Sequence, residues 1–212
     1  MTEQNPTNKL TRKDREFRHF AEFQIRVLEG ESDEDEQLYV EGYAATFDEP
    51  TVLMTIGDTE FKEQIDDKAF EEADMSDVIF NYNHSGKVMA RTRNKTLQLS
   101  VDDKGLYVRA RLDGTSEGRN LYEEIQGGYI DRMSFAFTVA EASFDRDNHT
   151  RTIRKVKKLY DVSAVDIPAY DTTSLSARSY FEAEAEKEKK ALDSAEKRKE
   201  LKKDILKELA KQ

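Results

Sequence analysis

The chain reads as a mainly β protein with helices (α+β), its strands forming a closed or nearly closed β-barrel with a few helices packed outside. Three observations predict this. Short runs in which apolar and polar residues alternate recur through the middle of the chain, the mark of half-buried strands. Turn-forming residues separate these runs, as at Asp102-Asp103-Lys104-Gly105 and again from Asp145 to Asn148. Two segments of helical period interrupt the strands, and a third, almost wholly charged, follows them.

The elements follow in order. Residues 1–18 are polar, mixed in charge and without period, and read as a flexible arm. Alternation at Phe23, Ile25 and Val27 predicts a strand, and residues 38–44 predict a second; the acidic residues 29–36 join them as the loop of a hairpin. Residues 66–73 open with aspartates that suit a helix N-terminus, so a short helix is expected there. Strands are predicted at 78–83, 96–101 and 106–112. Residues 115–126 form an amphipathic helix: Thr115 can cap it, Leu121, Tyr122 and Ile125 share a face, and Gly127-Gly128 stops it. In the next strand Met133, Phe135, Phe137 and Val139 alternate with Arg132, Ser134, Ala136 and Thr138. Strands at 152–156 and 158–165 follow, ended by Pro168. Beyond residue 181, Glu196, Glu200, Asp204 and Glu208 recur every four positions, each followed three later by a lysine, which predicts a charged helix. The expected domains are therefore an arm at 1–18, a β-barrel domain at 19–178 and a removable helical tail at 179–212.

Composition narrows the function. With 212 residues, 37% hydrophobic and 37% charged, the chain holds one modest core. A net charge of −10 argues against a dedicated nucleic-acid binder, which needs a basic surface. The absence of cysteine excludes disulfides, thiolate metal sites and cysteine nucleophiles. No apolar run approaches a membrane span, and the first fifteen residues lack a signal-peptide core, so a protein of the cytoplasm is expected. Neither a zinc-protease helix motif, a phosphate loop nor a Gly-x-Ser-x-Gly elbow is present, and no metal or cofactor is expected.

Ser134 is the most informative position. Alternation sets it on the side of its strand away from the bulky residues, although most serines so placed only satisfy a local hydrogen bond. Serine becomes a nucleophile only when a base removes its proton, and histidine suits that task near neutral pH. Of three histidines, His19 lies in the arm and His149 in a polar turn, whereas His84 ends the run Val78, Phe80, Tyr82, His84 on one strand face. Asp161 and Asp166 compete to orient it. Five positions apart, they point to opposite faces of a regular strand. Asp161 heads an alternating run and is preferred; Asp166 precedes Ile167-Pro168, where a turn-capping carboxylate is commonplace.

The order Asn83-His84, then Arg132-Met133-Ser134-Phe135-Ala136-Phe137, then the run from Leu159 to Tyr170 resembles the prohead protease family of tailed bacteriophages (Hong Kong 97 type). Gly42-Tyr43-Ala44-Ala45-Thr46-Phe47 and Ala69-Phe70 fit the same pattern, and the resemblance spans roughly residues 20–178. It implies the fold of herpesvirus assemblins, a β-barrel ringed by helices, and a serine endopeptidase without cofactor. By motif position Ser134 is the nucleophile, His84 the general base, and Asp161 the residue that orients His84. The implied partners are the phage scaffold protein or the major capsid protein extension as substrate, with possible self-association and self-cleavage, inside the immature capsid in the host cytoplasm. A cut between residues 177 and 191 is expected, on the premise that this segment joins barrel to tail. Ser85 and Ala136 depart from the acidic residue and glycine common in relatives, and no arginine after Asp161 matches the assemblin oxyanion residues, so backbone N–H groups are the expected donors. The rival readings are a non-catalytic capsid-assembly or scaffold-binding protein and, behind it, a scaffold fused to its protease.

Overall fold

The computed structural model describes residues 15–19, 26–28, 37–166 and 175–209. They form eleven strands and two α-helices, divided into two compact units at Ser176/Ala177. The acidic loop at 29–36 and Pro168 fall outside the described residues.

The first unit holds every strand. One sheet has seven strands: β1 (Glu16–His19), β10 (Arg132–Asp145), β11 (Thr150–Val165), β5 (Thr59–Ile65) and β4 (Thr51–Ile56) lie in that order, and β6 (Ile79–Tyr82) also pairs with β11 and carries β7 (Ser85–Arg91). The other has four, ordered β2 (Arg26–Leu28), β3 (Tyr39–Thr46), β9 (Gly105–Arg111) and β8 (Leu97–Val101). The predicted β2–β3 pairing is antiparallel. The architecture is thus mainly β with two helices, but the single closed barrel is not what the hydrogen bonds trace. Pairing among the described residues separates into two sheets. One apolar core serves both, with Val40, Leu106 and Val108 from the smaller sheet and Phe80, Met133, Phe135, Phe137 and Val162 from the larger. Helix α1 (Ser116–Gln126) adds Leu121 and Ile125 to that core. Thr115 caps it by accepting the Gly118 N–H at 2.9 Å, and Gly128, at φ +73°, follows its end.

Four local expectations are corrected. Residues 66–73 make a succession of tight turns rather than a helix. The Ala69 carbonyl, which a helix would need, accepts from Val156 N–H at 2.8 Å, and Asp66 N–H donates to Ile153. The two strands expected across 152–165 are one strand, β11, whose register shifts against β10 absorb the break in alternation. A further strand, β7, follows His84 where the pattern was read as ending. Lastly, the arm does not run to residue 18, because Glu16–His19 pairs antiparallel with β10 as an edge strand.

The second unit, from Ala177, takes in all but the first two residues of α2 (Leu175–Leu209), a single helix stitched by the pairs Arg178–Glu182, Glu184–Lys187 and Glu186–Lys190. Leu192, Leu201, Ile205 and Leu206 are exposed along it. None of the helices among the described residues is long and apolar enough to cross a membrane.

Candidate active site

Register builds the site from three strands. Ser134 of β10 faces Ser163 of β11, Ala136 faces Asp161, and Ser163 in turn faces Asn81 of β6. Side chains directly opposite in paired strands share a face. Ser134, Asp161, Ser163 and Asn81 therefore line one side of the sheet, and the alternate residues Met133, Phe135, Val162, Ala164 and Phe80 fill the core on the other. Ser134 is enclosed, at 1% exposure.

His84 arrives by a different route from the one alternation implied. It does not continue the face of Phe80 and Tyr82. Tyr82 pairs with Ser85, leaving Asn83 and His84 as a two-residue turn with φ values of +48° and +54°. Two positive φ angles are the signature of a type I′ hairpin, whose second position usually belongs to glycine. A histidine held there is strained by roughly 1–3 kcal/mol and needs support from its surroundings. That support is present. Asn83 N–H donates to Ala164 O at 3.0 Å, Asn83 Nδ2 to Asp166 Oδ1 at 3.0 Å, and His84 N–H to Ser163 Oγ at 3.2 Å. Tyr82 OH donates to Asp166 Oδ2 at 2.6 Å, and this bond raises the Tyr82 phenol above its ordinary range. Asp166, the second candidate beside His84, is thus committed to the turn.

The turn swings the imidazole back over the polar face. His84 Nδ1 lies 2.5 Å from Asp161 Oδ1, and Nε2 lies 2.7 Å from Ser134 Oγ. An ionised carboxylate only accepts, so the Nδ1 proton belongs to the Asp161 contact and Nε2 is left to accept from the serine. The single hydroxyl hydrogen of Ser163 has two acceptors in reach, Asp161 Oδ1 at 3.0 Å and Asn81 Oδ1. The Phe17 ring of β1 meets the imidazole edge-on, 4.7 Å between centroids. The three candidates singled out by sequence come together in one chain of hydrogen bonds. His149 does not join them; its ring packs on Phe61. The supporting Ser163 and Asn81 were missed, although the two-residue step from Asp161 to Ser163 already put both on one strand face.

Serine, histidine and aspartate in this geometry fit proton transfer from a hydroxyl nucleophile to an oriented imidazole. The sequence model of caudovirus prohead serine proteases matches residues 23–188. The chain belongs to that family. A relative, the prohead protease of Enterobacteria phage HK97, is 30% identical over 104 residues, covering 45% of this chain and 46% of that protein. The chain therefore matches under half the length of that relative. The structure of the bacteriophage T4 capsid assembly protease shares the fold at a TM-score of 0.50 and 16% identity, across 73% of this chain and 98% of that one. The family match embraces β2 to β11 and leaves β1 outside it. No group of three or more His, Asp or Glu among the described residues is arranged to hold a metal ion.

Proposed function

We propose that this chain is a serine endopeptidase of phage capsid maturation, with Ser134 as nucleophile, His84 as general base and Asp161 as the group that orients it. The observation that carries the reading is the unbroken contact from Ser134 Oγ to His84 Nε2 at 2.7 Å and from His84 Nδ1 to Asp161 at 2.5 Å. His84 takes the Ser134 proton as Oγ attacks the scissile carbonyl. The imidazolium, held by Asp161, returns that proton to the departing amine as the C–N bond breaks and an acyl-serine forms. Water, deprotonated by His84, then releases the acyl group as a carboxylic acid and restores the hydroxyl. Because Ser134 reaches His84 directly, the geometry supports this reading over a non-catalytic scaffold-binding protein.

The proposed substrates are the phage scaffold protein or the extension of the major capsid protein, cut inside the immature capsid in the host cytoplasm. Self-cleavage belongs to the same proposal, with one adjustment. Residues 177–191 lie within the continuous helix α2 rather than in an extended linker. A cut there requires that turn of helix to unwind first, since helical backbone does not lie along a strand edge.

The test is intact-mass spectrometry of wild type and Ser134→Ala, each assembled into proheads with the phage's own scaffold and capsid proteins. Fragments from wild type alone are expected. Fragments from both, or from neither, would overturn the reading.

A further inference from the structure

β1 lies along the edge of β10 directly beside Ser134. Residues Glu16, Phe17, Arg18 and His19 pair antiparallel with Phe137, Ala136, Phe135 and Ser134. The Arg18 carbonyl oxygen accepts from Ser134 Oγ at 2.8 Å. A scissile peptide has to lie against its nucleophile, and among the described contacts of Ser134 the Arg18 peptide is the one whose backbone carbonyl bonds the hydroxyl.

Side-chain alternation sorts the rest. Phe17 falls on the imidazole of His84. Arg18 and Glu16 fall on the other face, into a buried pocket. There the Arg18 guanidinium grips both oxygens of Glu63, with Nη2 to Oε2 at 2.9 Å, while Arg151 Nη1 and Nη2 reach the Glu16 carboxylate at 2.9 and 3.1 Å. Arg151 Nη1 also bonds Glu63 Oε2 at 3.0 Å. The side chain of Glu63 is 0% exposed and that of Arg18 2%. Buried ion pairs add little stability over apolar residues of the same volume, so a quartet of charges points toward recognition and register rather than strength. The charges also divide in a telling way. β1 contributes one of each sign, and Glu63 with Arg151 remains a neutral pair when β1 leaves. The pocket can therefore exchange one strand for another without stranding a net charge.

We propose that the β10 edge beside Ser134 is the substrate cleft, that Glu63 and Arg151 select an extended peptide with a basic residue before the cut bond and an acidic residue two positions earlier, and that β1 is seated there as the chain's own substrate-like strand. This rests on the catalytic role of Ser134 proposed above. Substrate adds to the edge of β10 as β1 does, by main-chain pairing with side-chain pockets on alternate positions. With Arg18 in place, the single hydroxyl hydrogen of Ser134 has two acceptors, His84 and the Arg18 carbonyl, and the site is self-occupied.

Two readouts test this on the full chain carrying Arg18→Ala, which weakens the hold of β1. The first is hydrolysis of a quenched fluorescent peptide containing Glu-Phe-Arg-His, compared with versions in which Arg becomes Glu or Glu becomes Lys. The second is anisotropy of the same labelled peptides on the chain that also carries Ser134→Ala. The parent peptide is expected to be cut and bound at least about tenfold better than either charge reversal, and Glu63→Gln should erase the preference for arginine. Equal rates and affinities for all three peptides, or an arginine preference that survives Glu63→Gln, would sink the cleft. Should Glu63→Gln fail to fold, the peptide substitutions decide alone. Charge-ranked binding without hydrolysis would uphold the cleft and defeat the catalytic reading. Ser134-dependent hydrolysis indifferent to peptide charge would do the reverse.

Discussion

Two buried polar networks lie on opposite faces of the larger sheet, and they are built on different principles. On one face Ser134, His84, Asp161, Ser163 and Asn81 are joined by hydrogen bonds in which a single carboxylate serves one imidazole and a serine. On the other, Arg18, Glu16, Glu63 and Arg151 form a closed quartet of full charges. Burial alone would lower the Arg18 guanidinium, but the two glutamates overcome it and hold its proton more tightly than usual. Burial likewise pushes Glu16 up, and the two arginines more than offset this, leaving its carboxyl below the ordinary value. On the proposed reading one proton passes from Ser134 to His84 in the first network, whereas the second holds its charges fixed. The difference is that the first recruits its histidine from a strained turn, while the second takes every member from regular strand positions.

The contrast can be broken in order of effect. Asp161→Asn keeps the shape of the first network but removes the charge that supports the imidazolium, and kcat for peptide hydrolysis should fall about ten-thousand-fold with the urea midpoint little moved. A fall of tenfold or less would take Asp161 out of the relay. Glu63→Ala strikes the second network and leaves two arginines with one carboxylate. The expected loss is about 3–5 kcal/mol in urea unfolding, and an unchanged midpoint would show that the quartet is solvated. Asp166→Ala releases the Asn83–His84 turn without touching the imidazole, so kcat should drop about ten- to hundredfold while the peptide KM changes little. An effect as large as that of Asp161→Asn would mean the two carboxylates had been assigned to the wrong roles.

The smallest effect concerns pH. Glu16 has a folded-state value below its ordinary 4.5. Its contribution is fully present above that ordinary value and is lost as pH falls through the lower folded one. The difference in Tm between wild type and Glu16→Gln should accordingly be constant at neutral pH and shrink on acidification below about 4.5. A difference that grew toward acid would contradict the ion pairing.

How much of this was legible depends on the range of the interactions. The alternation through residues 132–139 is local information, and it correctly separated Ser134 from the core side of its strand. The helix at α1 and its stop at Gly127-Gly128 were equally local. His84 was singled out for the wrong local reason: alternation placed it on the Tyr82 face, but a type I′ turn reverses its direction, and nothing short of the β7 pairing reveals that turn. Residues 66–73 carry a helical beginning, yet their carbonyl and amide groups are claimed by β11, a partner more than eighty positions away. Asp166 looked like a turn cap and is one, for a turn on another strand.

By itself the sequence determined which side chains are available and which face of each strand they occupy, because a strand's two-residue period is set by its own backbone. It also carried the family in the spacing of three short motifs. Only the tertiary structure decided that β1 belongs to β10 and that Arg18 meets Glu63 across 45 positions. It also decided that the strands divide into two sheets. Pairing between distant strands depends on which edges meet once the core has closed, and no local period records that choice.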